Sequence, residues 1–482
     1  ITPDLNMMLI VGNEFNDSHS RSWTMTGTGF VVPGWQNMSN TTTQVADEGK
    51  GRGRTVGTYG NLALAFRDML YFNATGRYDI VSSMPRNARS FFYPSVGLGF
   101  IFTELPGLKD NKVLPYGKIR GSFAQVGQAG SYSEKVYFVG GAGSGFLSDG
   151  INYPLGGVSG FRPDATLYDP DLRPQNTVNW ELGLELKFLE NRIGLDYTYS
   201  DQTATDQIFS VPMAGSTGYG SFVTNAGKMT SQVHEVVFYV SPVRTTNFDW
   251  NINVNFTKTK NMVVSLAEGI ESVALVGFTD PNVRAYAGYS YPTIYGVTMA
   301  RNEDGEILID DDPESYYYGM PMPGESGKIG DVSPDFVMGL TNSFKYKWIT
   351  LSAQFDWKQG GDIYSGTNRL MNLYGSSKAT EDRTSTWQYK DMLNAKGVGV
   401  LASTGQVNNI TRGGPNDIWA YPDFFNDIMG TISEMNVYEN SFIKLREVSL
   451  NFSLPSKVVS PLRLKGASVT FIGRNFVLWS TL

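Results

Sequence analysis

The sequence predicts an all-β chain, an antiparallel transmembrane β-barrel wall with short periplasmic turns and long extracellular loops. Three observations predict it. Apolar residues recur at every second position in many segments, the period of a β-strand. Those segments run about ten residues, the span of a tilted membrane strand, whereas ordinary strands are nearer five or six. The connections alternate between short and long, an asymmetry that outer-membrane barrels show.

The clearest element is the hairpin from Asn176 to Ser200. Val178, Trp180, Leu182, Leu184, Leu186 and Phe188 alternate with Asn179, Glu181, Gly183, Glu185 and Lys187. After the turn LENR, Ile193, Leu195, Tyr197 and Tyr199 alternate with Gly194, Asp196, Thr198 and Ser200. Periodicity alone is identical in a soluble sandwich, which buries its apolar face, and in a membrane barrel, which turns that face to lipid. Strand length, terminal aromatics and loop asymmetry favour the barrel.

In chain order, Leu5 to Phe15 and Arg21 to Phe30 are weaker strand candidates, and Asn37 to Arg54, polar and rich in Thr and Gly, reads as a loop. A strand from Thr55 turns at Phe66-Arg67-Asp68 into one with Leu70, Phe72, Ala74 and Tyr78 in phase. Val96, Leu98, Phe100 and Phe102 follow, then Gly117 to Val126. Gly127 to Gln175 is a long Gly-rich loop before the hairpin, and Thr203 to Gly220 is another loop after it. Phe222 to Val240 is less regular. Phe248, Trp250, Ile252, Val254 and Phe256 then alternate with Asp249, Asn251, Asn253 and Asn255. Asn261 to Pro334 is mostly loop, with one strand candidate from Pro292 to Ala300. Phe336 to Phe344 turns tightly into Ile349, Leu351, Ala353, Phe355 and Trp357. Gly360 to Asn440 is the longest irregular stretch, and Phe442 to Leu454 and Ala467 to Phe476 complete the set.

The chain has 482 residues, no Cys and a net charge of −7. That length exceeds one ordinary globular core, yet no linker-like shift divides it. Absence of Cys removes thiol nucleophiles, disulfides and Cys-based zinc sites. The acidic balance and the lack of a basic stripe argue against a nucleic-acid partner. No apolar run reaches the roughly eighteen residues of a membrane helix, a limit that does not apply to barrel strands. Ile1 and Leu482 both read as cut from something longer.

Several stretches, taken in order, resemble one family. They are NATGRYDIVSS (Asn73 to Ser83), FYPSVGLGF (Phe92 to Phe100) and YGKIRGSFAQVGQ (Tyr116 to Gln128). NWELGLELKFLENRIGLDYTYSDQTATDQI (Asn179 to Ile208) and IGDVSPDFVMGLTNSFKY (Ile329 to Tyr346) follow. FDWKQGGDIY (Phe355 to Tyr364), SFIKLREVSLNFSLP (Ser441 to Pro455) and GRNFVLWS (Gly473 to Ser480) close the series. The ordered set is similar to SusC/RagA-type TonB-dependent outer-membrane transporters. The resemblance implies a barrel of about 22 strands with a plugged lumen, of which residues 1–482 would supply a partial barrel domain of about fourteen to sixteen strands. It also implies that the plug, the TonB-contact segment, the first strands and the last strand lie outside the chain. The function so implied is TonB-energised import of glycan oligomers or peptides across the bacterial outer membrane, with a SusD-like surface lipoprotein as lid. Contact with outer-membrane lipid and pairing of two transporters as a homodimer are implied too. The alternatives are a surface adhesin or glycan-binding β-protein without transport and, more remotely, a barrel enzyme; no catalytic residue is expected.

Candidate sites follow from residue chemistry. Trp387, Tyr389, Trp419, Tyr421, Phe424 and Phe425 gather in the longest loop, and Tyr286, Tyr289 and Tyr291 in an earlier one. Aromatic faces stack on sugars and anchor protein interfaces, so each is a substrate- or lid-contact candidate, set against simple packing within the loop. Glu181, Glu185, Asp196, Asp249 and Asp356 are expected to be polar lumen residues. Asn302, Asp304, Glu306 and Asp310 offer hard oxygen ligands around Gly305, with calcium as the conceivable ion and otherwise no cofactor. An EF-hand spacing would want an acid where Ala300 stands, and a solvated acidic loop is the plainer reading. His19 and His234, the only histidines, show no triad or metal spacing.

Overall fold

A computed structural model describes residues 3–134, 137–139, 156–158 and 160–481. Part of the expected Gly-rich loop over 127–175, and the terminal residues Ile1 and Leu482, lie outside the described residues.

Thirteen strands form the main sheet and neighbour one another in chain order. They are β1 (Leu5–Phe30), β2 (Thr41–Phe66), β3 (Leu70–Val81), β4 (Ser90–Ile101) and β5 (Tyr116–Gln128). Next come β6 (Gln175–Phe188), β7 (Ile193–Thr205), β8 (Gly227–Arg244) and β9 (Phe248–Leu266). The last are β10 (Phe336–Tyr346), β11 (Ile349–Gln359), β12 (Phe442–Ser453) and β13 (Ser468–Ser480). The pairs β1–β2, β2–β3, β8–β9, β9–β10, β10–β11, β11–β12 and β12–β13 are antiparallel. No described helix is long and apolar enough to cross a membrane, which says nothing about crossing by strands.

The structure corrects three expectations. Leu5 to Phe15 and Arg21 to Phe30 are one continuous strand, and the segment expected as a loop, Asn37 to Arg54, is mostly its partner, paired from Thr41↔Phe30 to Phe66↔Leu5. That segment hides from hydropathy because one face of the ribbon is small and polar: Ser18, Ser20 and Ser22 lie opposite Gly53, Gly51 and Gly49. The candidate at Pro292 to Ala300 joins a separate four-stranded sheet built from 272–277, 282–286, 293–299 and 323–331. Merging the first two candidates into one strand and removing the Pro292 segment leaves thirteen main-sheet strands among the described residues, against the fourteen to sixteen expected.

The chain divides into two compact units, residues 1–99, 122–179 and 204–226 in one and 100–121, 180–203 and 227–482 in the other. In the first, a small core of Val81, Met84 and Leu172 packs with Phe91, Tyr132, Ile208 and Val223. Arg67 and Asp68 at its short turn take positive φ, and in the second unit Leu189, Glu190 and Asn191 at one turn and Lys347 at another do the same, as tight hairpins require. The second unit's main core lies wholly outside the main sheet, in segments 299–320 and 387–435.

The two faces of the second unit's strands differ in chemistry. On β9 to β11, Trp250 stacks on Phe344 with centroids 5.6 Å apart. Six positions along β9, about 20 Å at strand rise, Phe256 meets Phe336 at 5.5 Å and Phe336 meets Trp357 at 5.1 Å. Ile252 and Ala353, then Val254, Leu340 and Phe355, lie in the rows between, with Asn342 the polar exception, and Leu351 sits opposite Phe344. This is an apolar stripe with aromatics at both edges, and Leu184, Ile252 and Leu351 are all absent from the buried core. Leu182, 65% exposed, projects from the same face of β6.

Candidate functional site

The face opposite the apolar stripe carries an ordered set of charges. Arg120 of β5 donates to both oxygens of Asp196 on β7, at 2.7 and 3.2 Å, and to Thr198 Oγ1 at 2.6 Å. Gly183 of β6 lies between them, and a Cβ there would collide with the Arg120 side chain. Lys187 pairs with Glu185 at 3.0 Å and lies 4.5 Å from the Tyr116 ring centre. Asp356 pairs with Arg446 at 2.7 Å and Glu447 with Arg474 at 2.8 Å. Asp249 accepts from Asn251 at 2.7 Å. In the first unit Arg77 bridges Asp79 at 2.9 Å and Glu14 at 3.0 Å. Half-exposed ion pairs of this kind add little stability. Their chemical consequence is a wet surface of fixed, alternating charge.

The loop aromatics separate into core and surface. Trp387, Tyr389, Phe424 and Phe425 are buried. Trp387 meets Phe424 edge-on at 5.5 Å, and Phe424 meets Phe425 at 5.4 Å. Tyr389 donates to the Met299 sulfur at 3.1 Å and accepts from the Lys396 amide at 3.2 Å. Burial pushes its hydroxyl pKa up. These four rings pack within the loops and hold them together, the packing alternative weighed for them above. Trp419 is 69% exposed. Tyr421 and Phe425 contribute edges to a pocket of about 240 Å³ whose other lining residues include Asn372, Tyr374, Thr380, Arg383 and Asn426. The segment builds its helix Gly366–Leu373 under a Ser365 cap, whose hydroxyl accepts from the Asn368 amide.

The earlier loop forms a tyrosine cluster. Tyr286 lies 4.8 Å from Tyr289 and 5.8 Å from Tyr295. Arg284 sits over the Tyr295 ring at 3.9 Å and Lys328 near the Tyr289 ring at 5.4 Å. Lys328 also pairs with Asp331 at 2.6 Å. Tyr291 is apart from these rings, its carbonyl accepting from Ser333 at 3.3 Å. Sequence reasoning missed Tyr295, Arg284 and Lys328. Their signal was the register of short strands, which places Tyr295 opposite Lys328 and Arg284 opposite Thr293.

The acidic segment is engaged in its own turn. Asn302 accepts from the Glu306 amide at 2.9 Å and donates to the Glu306 carboxylate at 2.9 Å. Asp310 accepts from the Asp312 amide at 3.1 Å and from Ser315 at 2.5 Å. Among the described residues no group of three His, Asp or Glu side chains is placed to hold a metal ion. His19 lies 3.2 Å from Asp17, and His234 shares a hydrogen bond with the Tyr197 hydroxyl at 2.9 Å.

Long antiparallel strands with one aromatic-edged apolar face and one charged face define the wall of an outer-membrane β-barrel. The family model for the TonB dependent receptor-like β-barrel matches residues 6–400, and the chain belongs to that family of receptors. It is 23% identical over 444 residues to the TonB-dependent receptor P26 of Formosa agariphila, covering 88% of this chain and 41% of the relative. It is 26% identical over 323 residues to the TonB-dependent receptor SusC of Bacteroides thetaiotaomicron, covering 61% and 30%. The chain thus spans less than half the length of the curated relatives it matches. The solved structure of the RagAB peptide transporter superposes with a TM-score of 0.72 at 17% identity, covering all of this chain and 50% of that one. It shares the fold.

Proposed function

We propose that the whole protein imports a bulky hydrophilic solute, an oligosaccharide or a peptide, across the outer membrane with energy from the TonB complex, and that a SusD-like surface lipoprotein closes over its loops. The observation that carries this reading is the charged face centred on Arg120 and Asp196, set opposite the lipid-suited stripe of Trp180 and Leu182. Fixed charges of both signs suit a water-filled passage for polar solutes and would be costly against lipid. The name of the RagAB peptide transporter supports the peptide class. The pocket beside Tyr421 and the tyrosine cluster with Arg284 and Lys328 combine rings and polar donors, the chemistry that sugars and peptides share. No hydrolytic step belongs to this reading.

Uptake of fluorescent oligosaccharides and peptides by cells carrying the full-length protein tests it. Internalised label that disappears when TonB is deleted is the expected result. Label that binds the surface equally with and without TonB, and never enters, would instead identify an adhesin.

A further inference from the structure

We propose that the membrane-facing side of the sheet binds phosphate head groups of outer-leaflet lipid through basic residues placed just beyond its apolar stripe. Strand register fixes which side chains share that side, because residues directly opposite in an antiparallel pair lie on one face.

In the second unit the rows of β8 and β9 read Val240 opposite Ile252, Phe238 opposite Val254, and Val236 opposite Phe256. The next two rows on that face are His234 opposite Lys258 and Gln232 opposite Lys260. Both lysines are exposed, and among the described residues neither has a carboxylate partner. The one acid on the neighbouring strand and face, Asp201, accepts hydrogen bonds from Gln232 at 3.1 Å and Tyr199 at 3.3 Å. The Tyr199 ring lies 5.0 Å from His234. The order is therefore aliphatic, aromatic, then cationic, moving toward the long-loop end.

The first unit repeats that order independently. On β1 and β2 the rows read Leu9 opposite Leu62, Val11 opposite Gly60, Asn13 opposite Thr58 and Phe15 opposite Val56. Asp17 opposite Arg54, His19 opposite Arg52 and Arg21 opposite Lys50 come next. Glu14, which pairs with Arg77, lies on the opposite face. Asp17 is shared by Arg52 at 2.6 Å and Arg54 at 3.4 Å, while Glu48 is shared by Arg21 and by Lys50 at 3.4 Å. Four cations thus divide two carboxylates, and all are at the surface.

A strand face that meets acyl chains must next meet head groups, and each step along it is about 3.3 Å. The first cation row follows one alternation beyond the last apolar row, about 7 Å away, which is within the reach of a lysine or arginine side chain. Two lysines without a carboxylate partner in one unit, and four cations to two carboxylates in the other, leave a cationic excess at that depth that complements phosphate. The position is on the same end as the long loops, hence the outer leaflet.

The test uses the full-length protein, delipidated in detergent and titrated with phosphorylated lipid A, with retention read by native mass spectrometry. R52Q/R54Q and K258Q/K260Q should each lower retention roughly ten-fold, and R52K/R54K should keep it. Phosphatidylcholine, whose head group is neutral overall, should be retained equally by all variants. A heat-modifiable electrophoretic shift certifies the folded barrel, and if R52Q/R54Q fails it, K258Q/K260Q decides alone. Unchanged lipid A retention in the folded Gln variants overturns the proposal. So does displacement of lipid A by equimolar inorganic phosphate, which would mark a soluble-anion site.

Discussion

Arg412 and Asp417 show how single side chains fix the loops. Arg412 Nε donates to Asp417 at 2.6 Å and its second nitrogen does so at 3.1 Å, while the Gly413 amide donates at 3.0 Å. The Arg412 hydrogen bond, more than any other cause, holds the Asp417 carboxyl below its ordinary 3.8. A lowered folded pKa means that the clamp contributes fully above that ordinary value and is lost as pH falls through the lower one. Hydrogen exchange across 400–417 should therefore accelerate only as pH drops below about 3.8, and Arg412→Gln should remove that acid step. An unchanged acid step in the variant would mean that another group controls it. The loop aromatics teach a related lesson about legibility. Trp387 and Trp419 look alike in sequence, yet one is buried against Phe424 and the other is exposed. An irregular segment has no period from which to read a buried side, so ring chemistry alone could not sort core from surface.

At the scale of elements, the loops fold around their own core. Phe424, Ile428, Met429, Ile432 and Met435 are fully buried and pack with Met299, Ile309 and Met320 from the earlier segment. Truncation of a buried Phe commonly costs about 3–5 kcal/mol. Phe424→Ala should therefore expose residues 366–436 to limited proteolysis while the barrel keeps its heat-modifiable shift. Equal protection in variant and parent would show that the core does not hold these segments. Strands were legible wherever their two faces differed, as in β6, β7, β9 and β11. The outer half of β2 was not, because a face rich in Thr and Gly and a face of mixed charge give hydropathy no apolar side to read, although the backbone pairing is continuous. The four-stranded sheet at 272–331 was missed for another reason. Its strands are five to nine residues long, and two of its pairings include register shifts.

At the scale of the whole molecule, one alternation recurs along the apolar stretches of the long strands: apolar side chains on the lipid side, polar and charged ones on the other. Family membership, the fold shared with RagAB and the placement of the deepest core outside the main sheet all agree with it. The arrangement explains why Leu182 and Leu351 are exposed, the reverse of the expectation for a soluble chain, while Tyr389 and Phe424 are buried in the loop core. These 482 residues contain no Cys, so single Cys substitutions report on them directly once any Cys elsewhere in the full-length protein is replaced by Ser. Single Leu182→Cys, Ile252→Cys, Leu351→Cys, Glu181→Cys, Asn253→Cys and Ser352→Cys variants of the full-length protein would carry a nitroxide in lipid vesicles. Its relaxation by oxygen, which concentrates in lipid, is compared with relaxation by a water-soluble nickel complex. Oxygen should dominate at Leu182, Ile252 and Leu351, and nickel at Glu181, Asn253 and Ser352. Nickel dominating at the leucine and isoleucine positions, or no alternation between neighbours, would contradict the account.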